Sequence, residues 1–138
     1  MTVQVDDAGY RALVAGFLAT RGSANTRAAY ARDLLILGEA LGVAPGGEDG
    51  PSFGVEDDPG ARRAALQMAA IPPDWWQRWR DALEGRQSSR ARRVAAVRAF
   101  CRWWSRGLAL QNPVQDLRPP SAAARGQERL QREVSALT

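Results

Sequence analysis

Apolar side chains recur every three to four positions along much of this 138-residue chain. That is the period of an α-helix with one buried face. Tyr10, Leu13, Val14, Phe17 and Leu18 predict a first helix, capped by Asp6 or Asp7 and ended by Thr20-Arg21-Gly22. Gly22 is placed to take positive φ just past its end. Ser23 caps a second helix, roughly Ala24 to Leu41, with Tyr30, Leu34, Leu37 and Leu41 as its stripe and Gly42 as its stop. Ala61 to Ala70 predicts a short helix. Pro72-Pro73 begins another that runs to about Leu83, with Trp76, Trp79 and Leu83 at i, i+3, i+7. The longest helix follows, from Gln87 to Trp104, with Ser88 or Ser89 as cap and Ser105-Arg106-Gly107 as stop. Leu108 and Leu110 then continue as an extended packing segment. Asn112-Pro113 opens a single turn ending near Leu117, and Pro119-Pro120 breaks the chain. No strand-like alternation occurs. The expectation is an all-α, compact bundle of four to five helices.

Two stretches fall outside this pattern. Residues 44–60, APGGEDGPSFGVEDDPG, have no periodicity and read as an acidic loop, with Phe53 as its one large apolar side chain. Residues 121–138 are rich in Ala, Arg and Glu and read as a linker, helical near Leu130, Val134 and Leu137. Residues 1–120 are therefore expected to form one helical domain.

The longest helix has two distinct faces. Val94, Val97, Cys101 and Trp104 form a seam built to be buried. Arg92, Arg98 and Arg102 point the other way, with Ala91, Ala95 and Ala99 between them. Such a face can lie flat against an anionic partner.

Charge strengthens that reading. All 19 basic residues are arginine, a bias that a GC-rich genome also produces. Their placement says more: residues 1–60 hold 4 arginines against 9 acids, and residues 61–138 hold 15 against 6. The second part is suited to a polyanion, or else presents a solvated basic surface. The first turn of the second helix adds Ser23, Asn25, Thr26 and Arg27, where free backbone N–H groups and the positive dipole end suit a phosphate. Plain helix capping is the other reading of that cluster. The tryptophans near arginines could stack on bases, but their helical spacing favours a core.

Other chemistries are disfavoured. There is no His and no Lys, and the single Cys excludes an internal disulfide. No Walker-type loop or paired-Cys metal spacing is present. No catalytic residue, metal or cofactor is expected, and the chain is not expected to act alone as an enzyme. No apolar run approaches the roughly 20 residues that span a bilayer, and the N-terminus lacks the order of a signal peptide. The expectation is a soluble, cytoplasmic protein with no membrane partner.

Two segments then carry a resemblance. Ser23-Ala24-Asn25-Thr26-Arg27-Ala28-Ala29-Tyr30-Ala31-Arg32-Asp33-Leu34 resembles the opening of the second helix in the core-binding, SAM-like N-terminal domain of tyrosine recombinases, the phage integrases and Xer-type enzymes. Ala91 to Trp104 resembles that domain's last long helix. Gly107-Leu108, Asn112-Pro113, Leu117 and Pro119-Pro120 resemble its exit segment, so the likeness covers about residues 7–120 in order. The resemblance implies a domain that grips double-stranded DNA, joined to a separate C-terminal catalytic domain, and it leaves room for self-association on DNA. Carried over by position, Ser23, Asn25, Thr26 and Arg27 meet DNA from one helix, and Arg90, Arg92, Ala95, Arg98 and Arg102 from the other. The family's nucleophilic Tyr with its Arg, Lys and His partners lies in the catalytic domain. Here the only tyrosines are Tyr10 and Tyr30, both at core positions. The implied function is DNA binding and positioning in site-specific recombination or integration. About five phosphates contacted would set a salt slope near −4 to −5. The alternative is a helical protein–protein interaction module whose Arg-rich helix meets an acidic partner or the chain's own Glu48–Asp58 stretch.

Overall fold

A computed structural model describes residues 3–44 and 57–120. Five helices follow in order: α1 (Asp7–Ala19), α2 (Ala24–Ala40), α3 (Pro59–Ala69), α4 (Pro73–Asp81) and α5 (Gln87–Gly107). No strand occurs among the described residues. The expected helical bundle is thus observed. Most of the 44–60 loop and all of the 121–138 linker lie outside the described residues. So do Phe53 and the Leu130–Leu137 pattern.

The helices begin and end for local reasons. The Asp6 side chain accepts the Gly9 N–H at 2.8 Å and caps α1. Ser23 caps α2 by accepting the Thr26 N–H at 3.4 Å. Gly42, at φ 78°, closes α2: its N–H donates to Glu39 and the Val43 N–H to Gly38. This paired arrangement satisfies the last free carbonyls. Gly22 does not play that part for α1. Thr20 stays in the right-handed region and its N–H donates back to the Phe17 carbonyl, so the helix tightens to its end without a positive φ. Asp58, read as part of the acidic loop, caps α3 instead by accepting the Gly60 N–H at 2.9 Å. Pro59 and Gly60 are therefore helical rather than loop.

The core is one continuous cluster. Leu13, Phe17, Leu34, Leu37, Trp76, Val94, Val97, Phe100, Cys101 and Trp104 are all buried in it. The α5 seam is buried as expected, and so are Trp76 and Trp79, which fill the interior. Leu83 lies past the end of α4 and only packs against the edge. Phe17 is the hub of an aromatic group. Its ring lies 5.6 Å from Phe100, 5.6 Å from Tyr30 and 5.9 Å from Trp103. It ties α1 to both α2 and α5 at separations suited to aromatic pairs. Helix α1 packs most extensively on α3. A Cβ on Gly9 would come within 2.0 Å of the Gly60 carbonyl oxygen, so only glycine allows that approach.

Helix α5 departs from expectation at both ends. Neither Ser88 nor Ser89 caps it. Arg86 occupies the cap position without a side-chain hydrogen bond, since a guanidinium has no acceptor to offer, and Gly85 before it stands at φ 103°. At the other end the helix runs through Ser105 and Arg106 to Gly107. The chain then reverses at Ala109, held at φ 55°. The Leu110 N–H donates to Ser105 at 2.8 Å and the Ala109 N–H to Arg106 at 3.4 Å, the same paired closure as at Gly42 but without a glycine. The reversed segment returns along α5. Asn112 Oδ1 accepts the Val114 N–H at 3.1 Å to form the expected turn, and Val114 and Leu117 are buried. The Pro120 carbonyl accepts from Gln87 Nε2 at 3.0 Å, which brings the segment to the start of α5.

Candidate nucleic-acid interface

The return of the chain makes a groove. One wall is α5, with Arg98, Arg102 and Arg106; Ala95 and Ala99 lie between the arginines' turns. The other wall is the reversed segment, with Leu110, Gln111, Asn112, Val114 and Gln115. The groove is open and has a volume of about 720 Å³. Arg98, Arg102 and Arg106 stand at i, i+4 and i+8, about 6 Å apart along the axis, and all three are exposed. Among the described residues none of the three makes an ion pair. A row of unengaged guanidinium groups over small side chains can hold an anionic strand through charge-assisted hydrogen bonds.

The remaining α5 arginines are engaged within the molecule. Asp33 of α2 is fully buried, and its carboxylate accepts three N–H groups from α5. Arg92 Nε donates to Oδ2 at 3.3 Å, Arg92 Nη2 to Oδ1 at 3.3 Å, and Arg93 Nε to Oδ1 at 3.3 Å. The Arg92 side chain remains 49% exposed and that of Arg93 only 14%. Arg92 thus joins two helices rather than standing wholly free on the outer face, which corrects the helical-wheel picture for that residue. The reason is that Asp33 sits on the apolar stripe of α2, three residues after Tyr30 and four before Leu37. A buried carboxylate requires a partner, and α5 supplies it. Arg90 is also engaged: its Nη2 donates to Gln87 Oε1 at 2.6 Å.

The first-turn cluster of α2 stands apart from the groove. Ser23, Asn25, Thr26 and Arg27 are exposed, and none of them lines it. Ser23 is occupied as the cap. Arg27 Nη1 donates to the Arg21 carbonyl at 2.9 Å and braces the α1–α2 turn. Arg21 itself lies over the Phe17 ring at 4.6 Å, a cation–π contact. The structure therefore brings Ala95, Arg98 and Arg102 together in one groove, joins Arg92 to α2, and leaves the Ser23–Arg27 cluster separate.

Sequence reasoning missed Arg106, Gln111 and Gln115. Arg106 repeats the four-residue step of Arg98 and Arg102, so carrying the wheel one turn further would have found it. No sequence signal marks the two glutamines, because the chain reversal alone sets them opposite the arginines.

The described residues contain no group of three or more His, Cys, Asp or Glu side chains placed to hold a metal ion. None of their helices is long and apolar enough to cross a membrane. Cys101 is buried, and burial pushes its thiol well above the ordinary value, with the Trp104 indole only partly offsetting it. Tyr10 is buried beside it and donates to the Leu34 carbonyl. Burial, then the nearby Cys101, raises its phenol well above the ordinary value. Neither group is a nucleophile near neutral pH. Comparison with known protein families, with curated proteins and with solved structures gives no match.

Proposed function

We propose that this chain grips duplex DNA through the α5 groove and positions it, as the core-binding, SAM-like domain of a tyrosine recombinase or integrase does. In this reading the cutting and joining chemistry belongs to a separate catalytic domain. The observation that carries it is the row Arg98, Arg102 and Arg106, exposed and unpaired among the described residues, along one wall of an open groove. Phosphates are the natural partner of such a row, and most of the affinity comes from counterion release. Arg92 keeps half of its side chain exposed but is held by Asp33, and the Ser23–Arg27 turn stands apart from the groove, so the row of three arginines carries the phosphate contacts.

Because Arg92 and Arg93 are held by Asp33, the salt slope is smaller than the arginine count alone suggests. About three phosphates neutralised give a slope near −2.7, or roughly a 40-fold loss of affinity across a fourfold rise in salt. Fluorescence anisotropy with a labelled duplex at two salt concentrations measures this. Salt-independent binding, or none at low salt, removes the proposal. A polyglutamate competitor separates the alternative of an acidic protein partner. If polyglutamate displaces the duplex at equal charge, charge alone is being read.

A further inference from the structure

The two walls of the groove differ in chemistry. The α5 wall is cationic: its guanidinium groups only donate, and the Ser105 hydroxyl among them is buried and donates to the Arg102 carbonyl. The opposite wall carries Gln111 and Gln115, both exposed, whose carboxamides offer a donor and an acceptor side by side. Against a phosphate, half of each carboxamide is wasted, because its oxygen faces oxygens that also only accept. Against the edge of a base both halves are used, as in the bidentate pairing of Gln with adenine N6 and N7. Asn112 lies between them in sequence, but its oxygen accepts the Val114 N–H at 3.1 Å, which turns its side chain onto its own backbone.

The segment that carries the two glutamines is also held in place. The paired closure at Ala109, from Leu110 to Ser105 and from Ala109 to Arg106, fixes its start. Buried Val114 and Leu117 anchor its middle, and Gln87 holds its end at Pro120. A reading side chain needs a fixed backbone beneath it. Phosphate contacts set register, and contacts to base edges set sequence.

We infer that Gln111 and Gln115 are the specificity-determining residues of the groove, reading base edges while Arg98, Arg102 and Arg106 hold the backbone of the same duplex. This rests on the DNA-binding reading above. The test is selection of bound duplexes from a pool with a randomised central stretch, using the full chain, its Gln111→Ala/Gln115→Ala variant and its Arg98→Ala/Arg102→Ala variant. Thermal melts by circular dichroism check that each variant is folded. The wild type enriches sequences with adenine at one or two fixed positions. The glutamine variant loses that preference by about 5- to 150-fold, which is one bidentate base contact, and keeps its salt slope. The arginine variant loses about 2 from the salt slope. A wild type that binds duplex with no sequence enrichment overturns the inference and leaves the DNA-binding reading standing. So does a glutamine variant that enriches the same sequences as the wild type. A wild type that binds no duplex at low salt overturns both.

Discussion

Asp33 ties α2 to α5 by a buried ion pair. A carboxylate with no solvent exposure is tolerable only because two guanidinium groups meet it. Replacing Arg92 and Arg93 together with alanine leaves that charge buried and unpaired. The expected loss is about 3–5 kcal/mol of stability, read by urea unfolding. Arg92→Ala alone leaves Arg93 in place and is expected to cost less. Loss of DNA binding in an Arg92 variant therefore has to be separated from loss of fold, and Arg98 and Arg102 are the cleaner positions to change. Cys101 gives a second expectation. Its thiol stays protonated in the folded state above the ordinary value of 9.0, whereas the unfolded chain ionises there. The unfolded state then binds fewer protons, so its stability advantage grows with pH. Folding stability is full below about pH 9 and falls above it by about 1.4 kcal/mol per pH unit from this group. Cys101→Ala is expected to remove that contribution and flatten the alkaline limb of the unfolding curve between about pH 9 and 10, above which Tyr10, raised from its ordinary value of 10.0, adds a fall of its own. An unchanged limb would show that Cys101 is not its source.

At the level of the elements, α5 owes its direction to one face and its reach to its ends. The seam Val94, Val97, Cys101 and Trp104 is buried together with Phe100, and this fixes which side of the helix looks outward. Its C-terminal closure uses Ala109 in a left-handed conformation where glycine is the usual choice. An L-residue there costs about 1–2 kcal/mol, and glycine regains part of this after its own entropic cost. Ala109→Gly is expected to raise stability by up to about 1 kcal/mol in thermal or urea unfolding. The α1–α3 contact behaves oppositely. Gly9→Ala would drive a methyl group into the Gly60 backbone. Backbone cannot step aside as a flexible side chain can, so a loss of about 1–3 kcal/mol is expected. If Gly9→Ala is neutral in urea unfolding, the two helices are not held as closely as the structure has them.

For the whole molecule, the decisive feature is that the last described segment turns back along the helix it follows. Without that reversal Arg98, Arg102 and Arg106 would form a bare stripe; with it they form one wall of a groove. Under the proposed DNA-binding reading, three arginines placed this way act as a unit on the phosphates. Arg98→Ala/Arg102→Ala/Arg106→Ala is accordingly expected to abolish most of the salt dependence of duplex binding, with the melting temperature little changed. A variant that binds with wild-type affinity at low salt would place the DNA elsewhere on the molecule. The α1–α2 turn is the next position to examine, since Asn25, Thr26 and Arg27 remain exposed there.

Much of this architecture follows from the order of residues alone, because helices are local. The 3.6-residue period marks α1, α2, α4 and α5, whereas the short α3 is expected over Ala61–Ala70 without a stripe of its own. Asp6 or Asp7 and Ser23 announce the caps of α1 and α2 and Gly42 the stop of α2, but Ser88 and Ser89 suggest a cap that α5 does not use. The buried seam of α5 and the core tryptophans were legible for the same reason: a face that repeats its apolar residues has to be covered. What the chain order could not supply is which helices meet. Asp33 lies 59 residues from Arg92, so nothing near either residue marks the pair. The positions of Gln111 and Gln115 depend on a reversal at an alanine, where local preference argues against one. Charge placement in sequence separated an acidic part from a basic one, but only packing decided which arginines are consumed inside the molecule and which are left facing out. Local periodicity sets the elements, and burial of one element on another sets the site.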